Sequence, residues 1–316
     1  MRNNQTHLYT IIKMKVIGFG ETVLDIIFKN DQPQKAVPGG STFNAMISLG
    51  RIGVSGVMIT ETGDDHVGDI VRDFLIDNNI NTDYVYRHVG TKSHLSLAFL
   101  DSNNDAHYQF YKDHWNIAMP QEMPQIDRGD IVIYGSFYCV NPKIRDFSRR
   151  FLEKAHEQGA FLYYDINFRA SHKEDIPDIM ENITENMRLA SVVRGSNEDF
   201  EILYGAMTCA EAYNIVKEYC PYFIYTHADK PVELRTPNLK ASFPVKQVDT
   251  ISTIGAGDNF NAGFCYAIYK DGVVSLESIK KEEELAAFSR FIASGQKFSS
   301  VVCQSLDNYV PKDFRP

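Results

Sequence analysis

Apolar residues follow two spacings along this chain, and each spacing predicts one type of element. Short apolar runs that end at glycine or polar residues predict buried strands at 15–20, 57–60, 131–134, 160–164, 190–194, 223–226 and 232–235. Apolar residues three and four positions apart predict amphipathic helices over 67–79, 143–157, 176–189 and about 283–298. This alternation of strands and helices predicts an α/β fold, with a doubly wound, mostly parallel sheet covered by helices on both faces.

A strand pattern interrupts the alternation in two places. Apolar residues recur at every second position over about 92–113, which predicts a β-hairpin. Residues 22–37 are also extended in pattern, and together the two segments predict a small sheet that forms a lid over a cleft. The first segment contains Asp25 between two apolar residues, where it lies either on a solvated strand face or in a polar site. The sequence therefore predicts one domain over 14–316 with two inserted lid segments.

A glycine-rich stretch near the carboxyl end indicates an anion site. Gly255, Ala256 and Gly257 lead directly into an amphipathic pattern, so a helix is expected to begin near Gly257. The first N–H groups of a helix have no intrahelical partner and carry partial positive charge, and glycine lets an anion approach them closely. Asp258 follows at once. It either accepts a proton from an attacking hydroxyl or caps the helix, and the sequence leaves both interpretations open.

Further polar residues are expected at the carboxyl ends of strands, where ligands of parallel sheets bind. Gly39-Gly40 forms a second glycine turn, and Asn44 lies in the first turn of the helix that follows. Asp165, Asn167 and Arg169 alternate toward one side after a strand and can therefore converge. A structural Asp–Arg pair that closes a loop accounts for the same residues.

Composition excludes several classes of protein. The chain has 316 residues, 44% of them hydrophobic, and no apolar run of 18 residues, so a globular protein without a membrane span is expected. A net charge of −9 argues against a nucleic acid partner. Five dispersed cysteines without CxxC predict a reducing, cytoplasmic setting. Residues 1–13 lack the apolar core of a signal peptide and are expected to be a loose extension before Met14, an alternative start.

The motifs that are missing narrow the chemistry. The sequence contains no GxxxxGK[ST], no HRD or DFG, no HExxH and no GxSxG. With these motifs absent, the two glycine turns indicate that the protein binds phosphate without a Walker loop.

These residues resemble the ribokinase-like, or PfkB, carbohydrate kinase family from about Lys15 to Pro311. The family's amino-terminal signature, a GG turn followed by Asn and a helix that ends in LG, corresponds to Gly39-Gly40, Asn44 and Leu49-Gly50. Its carboxy-terminal GAGD signature corresponds to Gly255–Asp258. The resemblance implies a ribokinase-like fold, ATP and Mg²⁺ as cofactors, and a homodimer formed through the lid.

The resemblance also implies roles for residues at matching positions. The sugar hydroxyls would be held by Asp25, Gly39, Gly40 and Asn44, and Arg169 would position sugar or phosphate. Asp258 would be the base, with Gly255, Ala256 and Gly257 as the anion hole. The nucleotide would lie against Asn197, Asp199, Thr226, Gly255, Gly257, Ser294 and Gly295, with Asp199 at Mg²⁺.

Two positions leave details of the nucleotide side open. The family's N/S-x-x-E element fits in two registers, beginning at Ser196 or at Asn197. Ser252 stands where the family usually has an Asp beside a monovalent cation. Activation by potassium is therefore doubtful.

Within the family, Gly20-Glu21 followed by Asp25, and the Phe110-Tyr111-Lys112 run, look most like fructokinases and 2-keto-3-deoxygluconate kinases. Lys112 either binds the negative charge of an acidic sugar or a phosphate, or is a strand lysine that faces solvent. The expected function is phosphoryl transfer from ATP to fructose or to a related hexose or keto-sugar acid. Alternatives are a nucleoside or sugar-phosphate kinase of the same family, and a catalytically silent sugar-binding regulatory protein.

Overall fold

The fold is described from a computed structural model, over residues 14–101, 106–113, 119 and 122–316. The predicted extension over 1–13 and residues 102–105 of the second lid segment lie outside these residues. The strands are β1 (Val16–Phe19), β2 (Val23–Lys29), β3 (Gln32–Gly39), β4 (Gly56–Gly63), β5 (Ile80–Asn81), β6 (Val85–His88), β7 (Leu95–Leu100), β8 (Ala106–Tyr111), β9 (Ile131–Gly135), β10 (Phe161–Asp165), β11 (Val192–Ser196), β12 (Phe223–Thr226), β13 (Val232–Arg235) and β14 (Lys240–Phe243). The α-helices are α1 (Ser41–Arg51), α2 (His66–Asp77), α3 (Ser136–Val140), α4 (Arg145–Glu157), α5 (Ile176–Leu189), α6 (Asn197–Tyr204), α7 (Cys209–Val216), α8 (Ala256–Asp271) and α9 (Glu284–Cys303).

A ten-stranded sheet forms the body of the protein, in the order β14, β13, β12, β11, β10, β9, β1, β4, β5, with β6 also paired to β4. Neighbours from β12 to β5 are parallel, and only the β12–β13 and β13–β14 pairs are antiparallel. Strands β1, β9 and β10 are buried along their whole length, as strands covered on both faces must be. The predicted α/β fold with a mostly parallel sheet is confirmed.

A second sheet contains both segments predicted as the lid. Its order is β3, β2, β7, β8, with two antiparallel hairpins joined by a parallel pairing of β2 with β7. That pairing places Asp25 opposite Ser96. Asp25 is only 6% exposed, so its interpretation as a solvated strand residue is wrong.

Several further elements differ from the sequence predictions. Helices α6 and α7 were not predicted, although each begins with a capping box, Ser196 with Asp199 and Thr208 with Glu211. The edge strand β14 was also missed, because none of its residues is buried and its apolar pattern is weak. Helix α9 continues to Cys303, beyond the expected end near 298.

Helices α8 and α9 pack closely, and this contact fixes the position of the glycine-rich turn. A Cβ on Gly263 would overlap the carbonyl oxygen of Ser294, and Ser294 Oγ donates a hydrogen bond to the Gly263 carbonyl at 2.7 Å. The fully buried ring of Phe264 packs against Tyr163 and Phe291. Within the described residues, no helix combines the length and hydropathy that a membrane span requires.

Replacing Phe264 should therefore destabilise the fold strongly. We expect Phe264→Ala to lower the free energy of unfolding by about 3–5 kcal/mol, because it leaves a cavity among aromatic rings. Leu285→Ala on α9, where the side chain is 51% exposed, is the control and should change it by less than about 0.5 kcal/mol. Equilibrium urea unfolding measures both, and equal losses would contradict the packing described here.

Candidate active site

The carboxylate of Asp258 lies where the starts of two helices meet. Asp258 is in the first turn of α8, and its Oδ1 accepts a hydrogen bond from Ser41 Oγ at 2.7 Å. Its Oδ2 accepts one from Asn44 Nδ2 at 2.8 Å. Both donors belong to α1, more than 200 residues earlier in the chain. These bonds run to α1 instead of to the first amides of α8, which favours the interpretation as a base over that as a cap.

The surroundings of Asp258 make it a better proton acceptor. Burial raises the pKa of its carboxyl group above the usual range, while the hydrogen bonds from Asn44 and Ser41 and the charge of Arg169 act in the opposite direction. A carboxylate with a raised pKa takes a proton from a hydroxyl more readily near neutral pH. The arrangement can therefore serve as a general base.

A buried arginine stands beside the start of α8. Arg194 Nη1 lies 2.9 and 3.1 Å from the two oxygens of Asp165, and Nη2 donates to Thr226 Oγ1 at 2.8 Å. A Cβ on Gly257 would lie only 3.0 Å from Arg194 Nη2, so the glycine permits this close approach. The guanidinium, although paired with Asp165, stands beside the positive end of the helix dipole, where an anion is favoured. Sequence reasoning missed Arg194, although a cation at the end of an apolar strand was a usable signal.

The backbone at this helix start is suited to an anion. Gly255 has φ of +76°, which favours glycine, and a Cβ there would lie 2.7 Å from the carbonyl oxygen of Asn308. The N–H of Ala256 donates to the Thr253 carbonyl at 3.2 Å, so it is already engaged. The N–H groups of Gly257 and Asp258 belong to the first turn, where a helix supplies no acceptors of its own.

A cavity of about 1010 Å³ opens at this helix start, large enough for a nucleotide. It lies at the carboxyl ends of β10, β11 and β12, as expected for a parallel sheet. The predicted residues that line it are Arg169, Asn197, Asp199, Thr226, Gly255, Ala256, Gly257 and Asp258. Tyr108 of the small sheet also contributes to its wall.

The fold and this site match one known family. Residues 13–308 match the pfkB family carbohydrate kinases. The chain belongs to this family.

Fructokinases and an aminoimidazole riboside kinase are among its relatives. Fructokinase-1 of Oryza sativa subsp. japonica is 25% identical over 288 residues, which make up 87% of this chain and 88% of the relative. An aminoimidazole riboside kinase from Salmonella enterica, solved with aminoimidazole riboside and an ATP analog, superposes with a TM-score of 0.78 at 20% identity, over 95% and 97% of the two chains. A Vibrio cholerae O395 fructokinase, solved with fructose, ADP and calcium, gives 0.76 at 20% identity, over 94% and 95%. The two structural likenesses show the fold alone.

The residues predicted to bind the sugar hydroxyls lie on the small sheet and at the start of α1. Asp25 Oδ2 accepts a hydrogen bond from Asn308 Nδ2 at 3.2 Å, and a Cβ on Gly39 would overlap the Asp25 carboxylate. Gly40 has φ of +126° and begins α1, which carries Asn44. Burial raises the pKa of Asp25 to about 7, and the charge of Asp258 adds to the increase. Asn308 was missed from the sequence because no motif marks it.

Of Asp165, Asn167 and Arg169, the last two line the cavity, whereas Asp165 is buried away from it. Asp165 pairs with Arg194, whereas Asn167 has φ of +37° and donates to Ser136 Oγ at 2.7 Å. The positive φ ends the strand alternation on which the prediction depended. Arg169 is exposed, yet its charge acts on Asp258. The Asp–Arg pair of the alternative interpretation exists, but its arginine is Arg194.

Asp199 closes the capping box at the start of α6. Its Oδ1 accepts from the Phe168 N–H at 2.6 Å, and its Oδ2 accepts from Ser196 Oγ at 2.8 Å. The pair of Ser196 and Asp199 corresponds to the register that begins at Ser196, with Asn197 as the first helical residue. The Mg²⁺ role of Asp199 stays a prediction, and both oxygens of its carboxylate already accept hydrogen bonds.

The structure places Ser294 and Gly295 in the contact between α8 and α9. Gly295 packs against the ring of Phe260, and neither residue lines the cavity. Ala293, Gln296 and Lys297 of the same helix line it instead. Ser294 and Gly295 therefore face α8, while their neighbours on the same helix face the cavity, and the nucleotide contact of this helix stays a prediction.

Lys112 already has a partner. Its Nζ lies 2.6 Å from Glu21 Oε1, and the ammonium lies 5.1 Å from the centre of the Phe110 ring. Lys112 is exposed as well as ion-paired, so the interpretation as a solvated lysine and its role as a substrate ligand both stay predictions.

The raised pKa of Asp25 should make stability depend on pH. The folded protein keeps this proton up to about pH 7, whereas the unfolded chain loses it near the usual value of 3.8. The folded state binds more protons between these values, so the contribution of Asp25 to the free energy of unfolding falls as the pH rises through them. The Asn side chain has no proton to lose, so the unfolding free energy of Asp25→Asn should not fall in this way. As the pH rises from about 4 to about 7, its difference from the parent should change in favour of the variant by at most about 4 kcal/mol.

Urea unfolding at both ends of this range measures the effect. Asp313→Asn, at an exposed carboxylate, is the control for the loss of one acidic group. An Asp25→Asn protein whose difference from the parent is the same at both pH values would show that Asp25 does not carry this proton.

Proposed function

We propose that this pfkB-family kinase transfers the γ-phosphoryl group of ATP to a hydroxyl of a neutral hexose, with fructose as the favoured substrate, in the cytoplasm. The observation that carries the proposal is the position of Asp258, held by Ser41 and Asn44 at the positive end of α8 and on the wall of a cavity of nucleotide size. Fructokinases among the relatives support the choice of sugar.

The proposed reaction is an in-line displacement. The oxygen of the sugar hydroxyl forms a bond to the γ-phosphorus, the bond from that phosphorus to the bridging oxygen breaks, and ADP leaves. Asp258 accepts the hydroxyl proton. The amides of Gly257 and Asp258, together with the guanidinium of Arg194, stabilise the negative charge on the transferred group. Little further chemistry is required, because phosphoryl transfer depends mostly on positioning and electrostatics.

Magnesium binding requires few protein ligands here. Mg²⁺ in kinases is usually held by one or two carboxylates together with substrate phosphates, so the lack of a three-residue metal cluster among the described residues is compatible with it. Glu198 is exposed and lines the cavity beside the buried Asp199, which makes Glu198 the better placed carboxylate. When bound, the ion would neutralise charge on the phosphates.

A nucleoside is the second candidate substrate. Tyr108 lines the cavity and its ring stacks on Phe110, with centroids 5.9 Å apart and planes at 11°. Aromatic rings in a lid suit a heterocyclic base, and an aminoimidazole riboside kinase is among the structural neighbours. An acidic sugar is less favoured because Lys112 is already paired with Glu21.

A substrate panel separates these candidates. We expect ADP release with fructose to exceed that with aminoimidazole riboside, adenosine, fructose 6-phosphate and 2-keto-3-deoxygluconate by at least about tenfold in kcat/KM, which is about 1.4 kcal/mol. Faster turnover of a nucleoside would replace the proposed substrate. Binding of fructose in calorimetry without turnover of any compound would favour the catalytically silent alternative.

Substitution of the proposed base tests the mechanism. Asp258→Asn keeps the side-chain size and removes its capacity to take a proton, so kcat should fall by roughly 10² to 10⁴ with little change in KM. Asp271→Asn, at the exposed far end of the same helix, is the control and should stay within a few-fold of the parent. An Asp258→Asn protein that is folded and nearly fully active would contradict the assignment.

A further inference from the structure

One asparagine near the carboxyl end of the chain is in contact with both halves of the proposed site. Asn308 follows α9, and its side-chain Nδ2 donates a hydrogen bond to Asp25 Oδ2 at 3.2 Å. Its carbonyl oxygen accepts one from Asn259 Nδ2 of α8 at 2.8 Å. A Cβ on Gly255 would lie only 2.7 Å from the same carbonyl oxygen. Asn308 therefore joins the acid predicted to hold the sugar to the turn predicted to hold the phosphoryl group.

The amide of Asn308 is engaged at one end only. The residue is 1% exposed, and its Oδ1 is buried without a hydrogen-bond partner among the described residues, which lowers stability. Asn186 is also buried, but its Nδ2 donates to Cys139 Sγ at 3.2 Å and its Oδ1 accepts from Arg145 Nη1 at 2.9 Å. Asn186 thus has the contacts of a structural asparagine, whereas those of Asn308 favour a role at Asp25.

The hydrogen bond from Asn308 acts on both the position and the charge of the Asp25 carboxyl group. It fixes one oxygen and favours the ionised form, so it opposes the increase in pKa that burial causes. The titratable groups that face this carboxyl come from several elements: Asp258 of α8, Glu21 before β2, Tyr108 of β8 and Tyr309. The charges of the two acids raise the pKa of Asp25 further. Loss of the amide should therefore free the carboxyl group and raise its pKa again.

We propose that Asn308 is a positioning residue for the sugar, which holds the carboxyl group of Asp25 in the orientation that binds a sugar hydroxyl. The inference rests on the proposed sugar kinase function and deepens it by assigning a further residue to the same site. In this role Asn308 acts through Asp25 and not on the reacting atoms. Its effect should appear in the affinity for the sugar, which is the same contact in the ground state and the transition state.

Asn308→Ala tests this role, because it removes the amide and keeps the backbone that contacts α8. We expect the KM for the preferred sugar, and its dissociation constant from calorimetry, to rise by roughly tenfold, the effect of one hydrogen bond to a charged group. The kcat and the KM for ATP should stay within about threefold of the parent. Asn186→Ala is the matched control and should lower the free energy of unfolding without changing the KM for the sugar.

The pH dependence of stability gives a second readout, which needs no substrate. In the parent, the contribution of Asp25 to the free energy of unfolding falls with rising pH until the folded protein loses this proton near pH 7. In Asn308→Ala the folded protein should keep the proton longer, so the decline should continue to a pH about one unit higher. Urea unfolding over this range measures it, with the Asp25→Asn, Asn308→Ala double variant as the reference without the titrating group.

Three results would overturn the positioning role. They are a folded Asn308→Ala protein with the sugar KM of the parent, a loss in kcat as large as the rise in KM, and an unchanged pH range of the decline. Asn308→Leu, which fills the volume of the amide without a donor, replaces Asn308→Ala if the latter does not fold. If neither variant folds, Asn308 is a structural residue and the inference fails.

The proposed function fails separately. A parent that phosphorylates no sugar contradicts the kinase proposal, while sugar binding in calorimetry and the pH dependence of stability still decide the role of Asn308. A parent that binds no sugar overturns both.

Discussion

The meeting of two helix starts at Asp258 is the interaction on which the site depends. Helix α1 begins after Gly40 and α8 after Gly255, both with positive φ, so each chain segment turns sharply from the sheet into its helix. Ser41 and Asn44 of α1 bind the carboxylate of Asp258 in α8. A partly buried carboxylate is costly unless its oxygens accept hydrogen bonds, and these two donors meet that requirement. The proposed base is therefore positioned by packing between distant segments rather than by a loop.

Arg194 is held by a buried network that fixes its direction. Its partner Asp165 also accepts from Asn261 Nδ2 at 2.6 Å, and Asn261 Oδ1 accepts from Tyr163 OH at 2.9 Å. A buried ion pair adds little net stability, because removing two charges from water offsets their attraction. In the proposed reaction the pair would act by pre-organisation, because a guanidinium held rigidly beside Gly257 would need no reorganisation to bind a phosphoryl group.

Local patterns were sufficient to predict much of the fold. The bounds of β12 and β13 agree with the apolar runs, and both glycine turns begin helices where expected, because these features depend on neighbouring residues. The contacts that complete the site join residues far apart in the chain. Asn308 reaches Asp25 across 283 positions, and Lys112 reaches Glu21 from another sheet. No periodicity encodes such pairs, so they required the tertiary structure.

Two acids close to the proposed sugar position, Asp25 and Glu21, have pKa values shifted in opposite directions, and their surroundings explain why. Burial raises the pKa of Asp25 to about 7, while His94 and Lys112 outweigh burial at Glu21 and lower its pKa to about 2. Asp25 can thus carry a proton and donate a hydrogen bond to a sugar oxygen, whereas Glu21 stays charged and forms an ion pair with Lys112. Different environments give similar side chains different tasks. With these two acids engaged in this way, Asp258 at the start of α8 is the carboxylate that we propose as acceptor of the hydroxyl proton.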